Sequence, residues 1–226
     1  MYLFLNAFRL TPDDRAKIHA VLEKNLAAAI WMYAPGCIGE NTSAENITAT
    51  TRIKVAAFDK PARTGSVSLL ADKWIDKNQE IGEPIDVAPL FYIDDKDTNP
   101  IAKYKTSGKT SVAASFFEEG WASIYCAEPC LSPPLLQEIV SILSLHIYMQ
   151  PAQTKFHDTV HFGFNLVGIH AKETGERVLD LDKTCDLQDL LAPEIGWLRK
   201  RSVSLPLRTG ETRLLRLTPV EEGATP

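Results

Sequence analysis

Cysteine is scarce in this chain, with four in 226 residues. That excludes a disulfide scaffold, and reduced thiols at Cys37, Cys126, Cys130 and Cys185 are the expectation for a cytoplasmic protein. Basic charge is scarce too. The 24 Lys and Arg stand against 29 Asp and Glu, a formal net charge of −5. A nucleic-acid binder needs a basic stripe to neutralise phosphates, so that class is set aside. No run approaches the roughly 20 apolar residues of a membrane span. The N-terminus carries neither the basic stretch nor the small-residue cleavage site of a secretory signal. The acceptor-like triplets at Asn41 and Asn46 are therefore read as chance matches. What remains is 45% hydrophobic and 23% charged, the composition of a soluble globular protein with one large domain or two small ones.

The clearest local pattern is at the start. Tyr2–Ala7 and Ala28–Ala34 are near-continuous apolar runs, as in strands of a parallel sheet covered on both faces. Between them the spacing predicts a helix over Thr11–Asn25. Thr11 suits the N-cap, Pro12 the first helical position, and Asp13 and Asp14 the positive end of the helix dipole. Ile18, Leu22 and Leu26, with Val21 beside them, predict one buried face. The unit begins at residue 2, as though an α/β domain were entered partway through.

Further along, Thr42 to Glu45 reads as a capping box opening a helix to about Thr50. Strands are predicted over Arg52–Phe58, Ser66–Leu70 and Asp86–Ile93. Ile101–Lys105 and Ser111–Phe117 read as an antiparallel pair around Ser107-Gly108. Trp121–Ala127, a helix capped by Ser132 and carrying Leu135, Leu136, Ile139, Val140 and Leu143, and His146–Met149 read as a second strand–helix–strand unit. Residues 1–150 thus form one predicted domain. Residues 151–219 are predicted all-β, with Val160–Ala171 and Glu176–Leu181 joined by a hairpin turn at Lys172–Gly175. Ser202–Leu207 and Thr212–Leu217 repeat that device around Gly210. Residues 220–226 read as a flexible tail.

Several patterns resemble functional motifs, and each has a plainer reading. Ser107-Gly108-Lys109-Thr110-Ser111 imitates the end of a phosphate-binding loop. The pattern needs Gly five residues before Gly108, where Lys103 stands, and a helix after it, where a strand is predicted. Cys126 and Cys130 with His157 and His161 offer four metal-ligand types. The long gap between the pairs is unlike compact zinc sites, so buried thiols and edge histidines are expected, with no metal or cofactor. Cys37 follows a parallel strand, where α/β folds place ligands and nucleophiles. Pro35-Gly36-Cys37-Ile38-Gly39 is similar to the nucleophile elbow of amidotransferase-like folds, with Pro35 in place of the first Gly. A nucleophile also needs a base, and neither His146 nor His170 has a flanking pattern that marks it as one. The acidic pairs Glu118-Glu119 and Asp94-Asp95 sit in loops where adjacent carboxyls point apart. Glycoside hydrolysis needs two facing across a bond. Trp31, Trp74, Trp121 and Trp197 could stack on sugars, but Trp31 lies in an apolar strand and reads as core. No catalytic, cofactor-binding or metal-binding residue is assigned.

Taken in order, Tyr2–Phe8, the helix from Thr11 and Ile30–Gly36 resemble the trimerisation domain of family 42 glycoside hydrolases, the β-galactosidases. That domain is a degraded class I amidotransferase-like fold without its nucleophile. Gly120–Tyr125, the Leu135–Leu143 helix and His146–Tyr148 look like the end of it. Val167–Ala171, Gly175, Val178–Leu181 and Ser204–Leu217 look like the small C-terminal β domain of such enzymes. The resemblance implies an incomplete flavodoxin-like α/β sheet followed by a small all-β domain. It implies a non-catalytic role in oligomerisation and in walling a carbohydrate site, with a second copy or a separate barrel as partner. The TIM barrel that would hold the catalytic glutamates, about 250 residues, has no counterpart in the chain. A Cys37-dependent amidotransferase-like enzyme and a stand-alone carbohydrate-binding module are the alternatives.

Overall fold

Thr11 starts the first helix as its sequence demands. Its hydroxyl accepts the Asp14 N–H at 3.1 Å, and the Asp14 carboxylate accepts the Thr11 N–H at 3.0 Å. This reciprocal box satisfies two of the donors that a helix start leaves open. The computed structural model describes residues 1–71, 76–150 and 158–220. The chain divides into two units, Met1–Leu143 and Ser144–Pro226.

The first unit runs β1 (Tyr2–Phe4), α1 (Pro12–Lys24), β2 (Ala28–Met32), α2 (Ala44–Thr51), β3 (Val55–Ala57), β4 (Ala62–Arg63), β5 (Ser66–Ser68), β6 (Glu80–Ile81), β7 (Asp86–Val87), β8 (Phe91–Ile93), β9 (Asn99–Tyr104), β10 (Thr110–Phe116), β11 (Ala122–Cys126) and α3 (Pro133–Ile142). A nine-stranded sheet has the path β1-β2-β11-β10-β9-β5-β6, with β8 pairing β10 and β3 beside it. β4 and β7 pair separately.

The predicted strand–helix–strand opening is present, and β1 and β2 pair in parallel with Leu3 opposite Ile30. β11 adds to the other side of β2, also parallel. From β10 onward the sheet is antiparallel. The architecture is therefore mixed and rich in strands, with three helices among the described residues. β2 explains its unbroken apolar run by alternation. Ala29 and Trp31 face a core with Leu22, Ile47 and Phe91, while Ile30 and Met32 face one with Val112, Leu135 and Ile139. Both sides of the strand are buried, so no polar residue is tolerated on it.

Local expectations differ from the structure at several points. β1 ends at Phe4, short of the expected Ala7, and β2 ends at Met32, where Tyr33 takes φ 59° and turns the chain. On α1, Leu22 is buried and Ile18 partly so, but Val21 and Leu26 are exposed. The helix stops at Lys24 and Leu26 takes φ 46°, which swings it off the buried stripe. Ser43, not Thr42, caps α2, its hydroxyl accepting the Asn46 N–H. The predicted strand Asp86–Ile93 is two short strands with Pro89 between them. The predicted hairpin around Ser107-Gly108 forms as read.

The second unit runs β12 (Met149–Gln150), β13 (Thr159–Gly163), β14 (Leu166–His170), β15 (Gly175–Asp189), β16 (Gly196–Leu207) and β17 (Thr212–Pro219). They form one antiparallel sheet with the path β12-β15-β17-β14-β13 and β16 beside β15. Met149 pairs with Leu179, so the predicted returning strand His146–Met149 serves this sheet and no second strand–helix–strand unit closes. Val160–Ala171 is a hairpin, reversing at Phe164 and Asn165 with φ 49° and 62°. Neither predicted Gly-marked hairpin pairs its own arms. β14 pairs β17, and β15 pairs both β16 and β17. The core of this unit is the alternating set Val167, Ile169, Leu179, Leu181, Val203, Leu205 and Leu215.

Candidate functional site

Two features of the first unit bear on function: the loops that follow β1 and β2, the second of which carries Cys37, and the outer edge of β1. The loops are knitted together. Gly36 N–H donates to the Ala7 carbonyl at 2.7 Å, and Ile38 N–H to the Phe8 carbonyl at 2.8 Å. Gly36 has φ 66°, and a Cβ there would run into the Thr50 hydroxyl of α2. Glycine is needed both for the turn and for that close approach.

This packing buries Cys37, which is 4% exposed. Its carbonyl accepts the Ser43 N–H at 3.2 Å and the Asn46 side-chain amide at 3.3 Å. Burial pushes the thiol above its ordinary pKa, against a smaller opposing effect from the Ser43 backbone. A nucleophilic cysteine needs the reverse, an accessible thiol with a lowered pKa. Three imidazoles are engaged elsewhere: His19 with the Thr50 carbonyl at 2.8 Å, His146 with the Asp180 carbonyl at 2.9 Å, and His170 with the Thr212 hydroxyl at 2.8 Å.

The acidic pairs serve turns and surface ion pairs. Asp95 accepts the Lys54 and Asp97 amides at 2.8 and 3.1 Å, and Asp94 pairs with Lys54 at 3.8 Å. Glu119 pairs with Arg52 at 3.3 Å, and Glu118 is exposed beside it. Cys126 is fully buried, with its sulfur 3.8 Å from the carbonyls of Glu128 and Cys130. His161 lies on exposed β13, and His157 is outside the described residues. No group of three or more metal-ligand side chains assembles among the described residues. Trp31 is core and donates to the Ser123 hydroxyl at 3.0 Å. Trp121 is core as well, with the Arg52 guanidinium 5.3 Å from its ring. Trp197 packs against the second core, and Trp74 is outside the described residues. Residues Ser107–Ser111 form the β9–β10 turn and the start of β10.

Sequence reasoning missed a buried polar cluster. Glu128, 2% exposed, accepts from the Ser66 hydroxyl, which also meets the Ser111 hydroxyl at 2.6 Å. Gly82 lies against the same carboxylate, and a Cβ there would collide with it. Glu128 follows a strand in a loop-like context, and three distant segments converge on it, so no local pattern could flag it.

The second feature is the edge. Among the described residues β1 pairs only with β2. Tyr2, Leu3 and Leu5 are 40, 41 and 54% exposed, and Phe8, Val21 and Leu26 add further exposed apolar surface. Native sheets usually blunt an edge with charge or proline, and β1 has neither.

No protein-family model matches the sequence, and no curated protein matches it by sequence. Solved structures do match by fold. The β-galactosidase from Bacillus circulans sp. alkalophilus superposes with a TM-score of 0.64 at 11% identity, over 96% of this chain and 32% of that one. Gan42B, a family 42 glycoside hydrolase β-galactosidase, gives 0.58 at 12% identity, over 96% of this chain and 31% of that one. The β-galactosidase of the Antarctic haloarchaeon Halorubrum lacusprofundi gives 0.54 at 8% identity, over 95% and 30%. The chain thus has the fold of a part of family 42-type β-galactosidases and spans about a third of their length.

Proposed function

We propose that this chain is the non-catalytic C-terminal portion of a glycoside hydrolase of the β-galactosidase type and acts as an assembly module. The parallel strands β1, β2 and β11 correspond in this reading to the remnant of an amidotransferase-like sheet, and the six-stranded unit to the small β domain. The observation that carries it is the open apolar edge, with Leu3 and Leu5 exposed beside an unpaired side of β1. Contiguous exposed apolar surface of this kind marks an interface. The partner is a second copy or a barrel polypeptide.

Sedimentation velocity tests the reading. The chain at micromolar concentration should sediment as an oligomer, or associate with a separately produced barrel. Leu3→Lys with Leu5→Lys should return it to a monomer with unchanged circular dichroism. A wild-type chain that stays monomeric and ignores the barrel overturns the reading. Aryl galactosides should be hydrolysed only at background rate by the chain alone.

One observation favours the carbohydrate-binding alternative for the second unit. Phe164 is fully exposed at positive φ on the β13–β14 turn, with Phe162 40% exposed near it and its ring tilted against Tyr148, centroids 4.1 Å apart. A bulky residue in that backbone region is strained, and strain with no burial in return points to a use outside the fold. Retardation on galactan affinity gels that Phe164→Ala abolishes would support this alternative, and equal mobility with and without galactan would remove it.

A further inference from the structure

A cavity of about 610 Å³ opens between the loop that leaves β1 and the loop that leaves β2. It lies beyond the C-terminal ends of two parallel strands, the crevice where open α/β sheets receive ligands. Its size falls within the range of about 300–1,000 Å³ typical of small-molecule sites. Arg9 and Arg15 line it, together with Leu10, Ile38, Glu40 and Asn41.

The Nη1 of Arg15 is closed off from solvent and has no hydrogen-bond partner, while the residue as a whole stays partly exposed on the cavity wall. A buried charged donor without an acceptor is costly, so such a group calls for an explanation. Neither Arg9 nor Arg15 belongs to an ion pair among the described residues. Two polar side chains beside the arginines are engaged within their own loops. Asp14 holds the Thr11 amide and hydroxyl. The Asn46 amide donates to the Cys37 and Asn41 carbonyls. Both helix starts are therefore satisfied from within, and what the cavity still offers is guanidinium. Glu40 is exposed in the wall, and its carboxylate opposes an anion there.

We propose that this cavity binds a small molecule through an oxyanion, carboxylate or phosphate, held by the Arg9 and Arg15 guanidinium groups that line it. Guanidinium forks match such groups in two-point geometry. Leu10 and Ile38 supply an apolar wall for the rest of the molecule. The site is separate from the β1 edge, so it stands or falls independently of the assembly role.

Titration of the full chain with inorganic phosphate and, separately, with acetate tests this, with chloride at matched ionic strength as the control. Backbone amide shifts and thermal unfolding are the readouts. Saturable shifts at Arg9, Gly39 and Asn41 are expected with at least one anion, and a higher Tm with it. Arg9→Gln and Arg15→Gln should each weaken the apparent affinity at least about tenfold, the loss of one two-point contact. Arg15→Gln should melt no lower than wild type without anion, because it removes a donor that has no partner. Should Arg15→Gln fail to fold, Arg9→Gln, at an exposed position, carries the test. A response to phosphate alone or acetate alone identifies the group. Absence of saturable shifts with both anions, or a response unchanged in Arg9→Gln, overturns the proposal. The oligomeric state of Arg9→Gln should equal that of wild type, which separates this result from the assembly test.

Discussion

Phe4 stacks on Trp31 across the parallel β1–β2 ladder, their ring centroids 4.2 Å apart and their planes 16° from parallel. The edge strand therefore gives its aromatic ring to the core while Leu3, next to it, stays on the surface. One three-residue strand holds the sheet from inside and presents a sticky rim outside.

This division of labour predicts two different phenotypes. Phe4→Ala should lose about 3 kcal/mol in urea unfolding, the low end for a phenylalanine because Phe4 is only partly buried. Leu3→Ala should stay within about 0.5 kcal/mol of wild type in the monomer, as surface changes do. Equal losses for the two would show that Leu3 is packed in the monomer.

Cys37 should react slowly. Its thiol is buried and its pKa is raised by that burial. Iodoacetamide at pH 8, followed by peptide mass mapping, should label it at least about tenfold more slowly than a free cysteine. Faster labelling than the free amino acid would return Cys37 to candidacy as a nucleophile.

In the second unit Asp158 and Arg177 form a buried pair, with Arg177 Nε at 2.7 Å and Nη2 at 2.9 Å from the two carboxylate oxygens. The hydrogen bonds from Arg177 hold the Asp158 carboxyl below its usual pKa. Removing one partner of such a pair leaves an uncompensated charge, so Asp158→Asn should cost about 3–5 kcal/mol at pH 7. The contribution of a lowered carboxyl is complete above the ordinary value of about 3.9 and is lost as pH falls through the folded-state value. The gap between wild type and variant should therefore be constant from pH 7 to about 5 and close below about 4. A gap that widens on acidification would contradict the assignment.

Glu128 should behave in the opposite sense. Burial raises its carboxyl, and the Ser66 hydroxyl and Gly65 amide only partly offset this. The folded state then favours the protonated form, and a penalty grows as pH rises from about 4.3 up to the folded-state value. Glu128→Gln keeps the size and most hydrogen bonds without the charge. Its stability relative to wild type should rise across that interval, measured by urea unfolding between pH 4 and 7. A relative stability independent of pH would show that Glu128 titrates normally.

Much of the first unit's opening was legible because its signals are local. Thr11, Pro12 and Asp14 define a helix start within four residues, and a run buried on both faces reads as an inner parallel strand. The β9–β10 hairpin is local in the same way. The pairing of β14 to β17 was not legible. Each of these strands alternates apolar and polar residues alike, so none encodes its neighbour, and the turns at Gly175 and Gly210 reverse the chain without pairing their own arms. Phe164 at positive φ gave no turn signal, since that backbone normally calls for glycine or asparagine. The same boundary runs through the candidate sites. That Tyr2–Leu5 is apolar and uncharged is a property of the sequence; that this run forms an open edge was decided by the fold. That Arg9 and Arg15 flank a capped helix start and meet Ile38–Asn41 in one cavity was decided by tertiary structure. The contact joins segments about thirty residues apart, and only the parallel pairing of β1 with β2 brings their loops together.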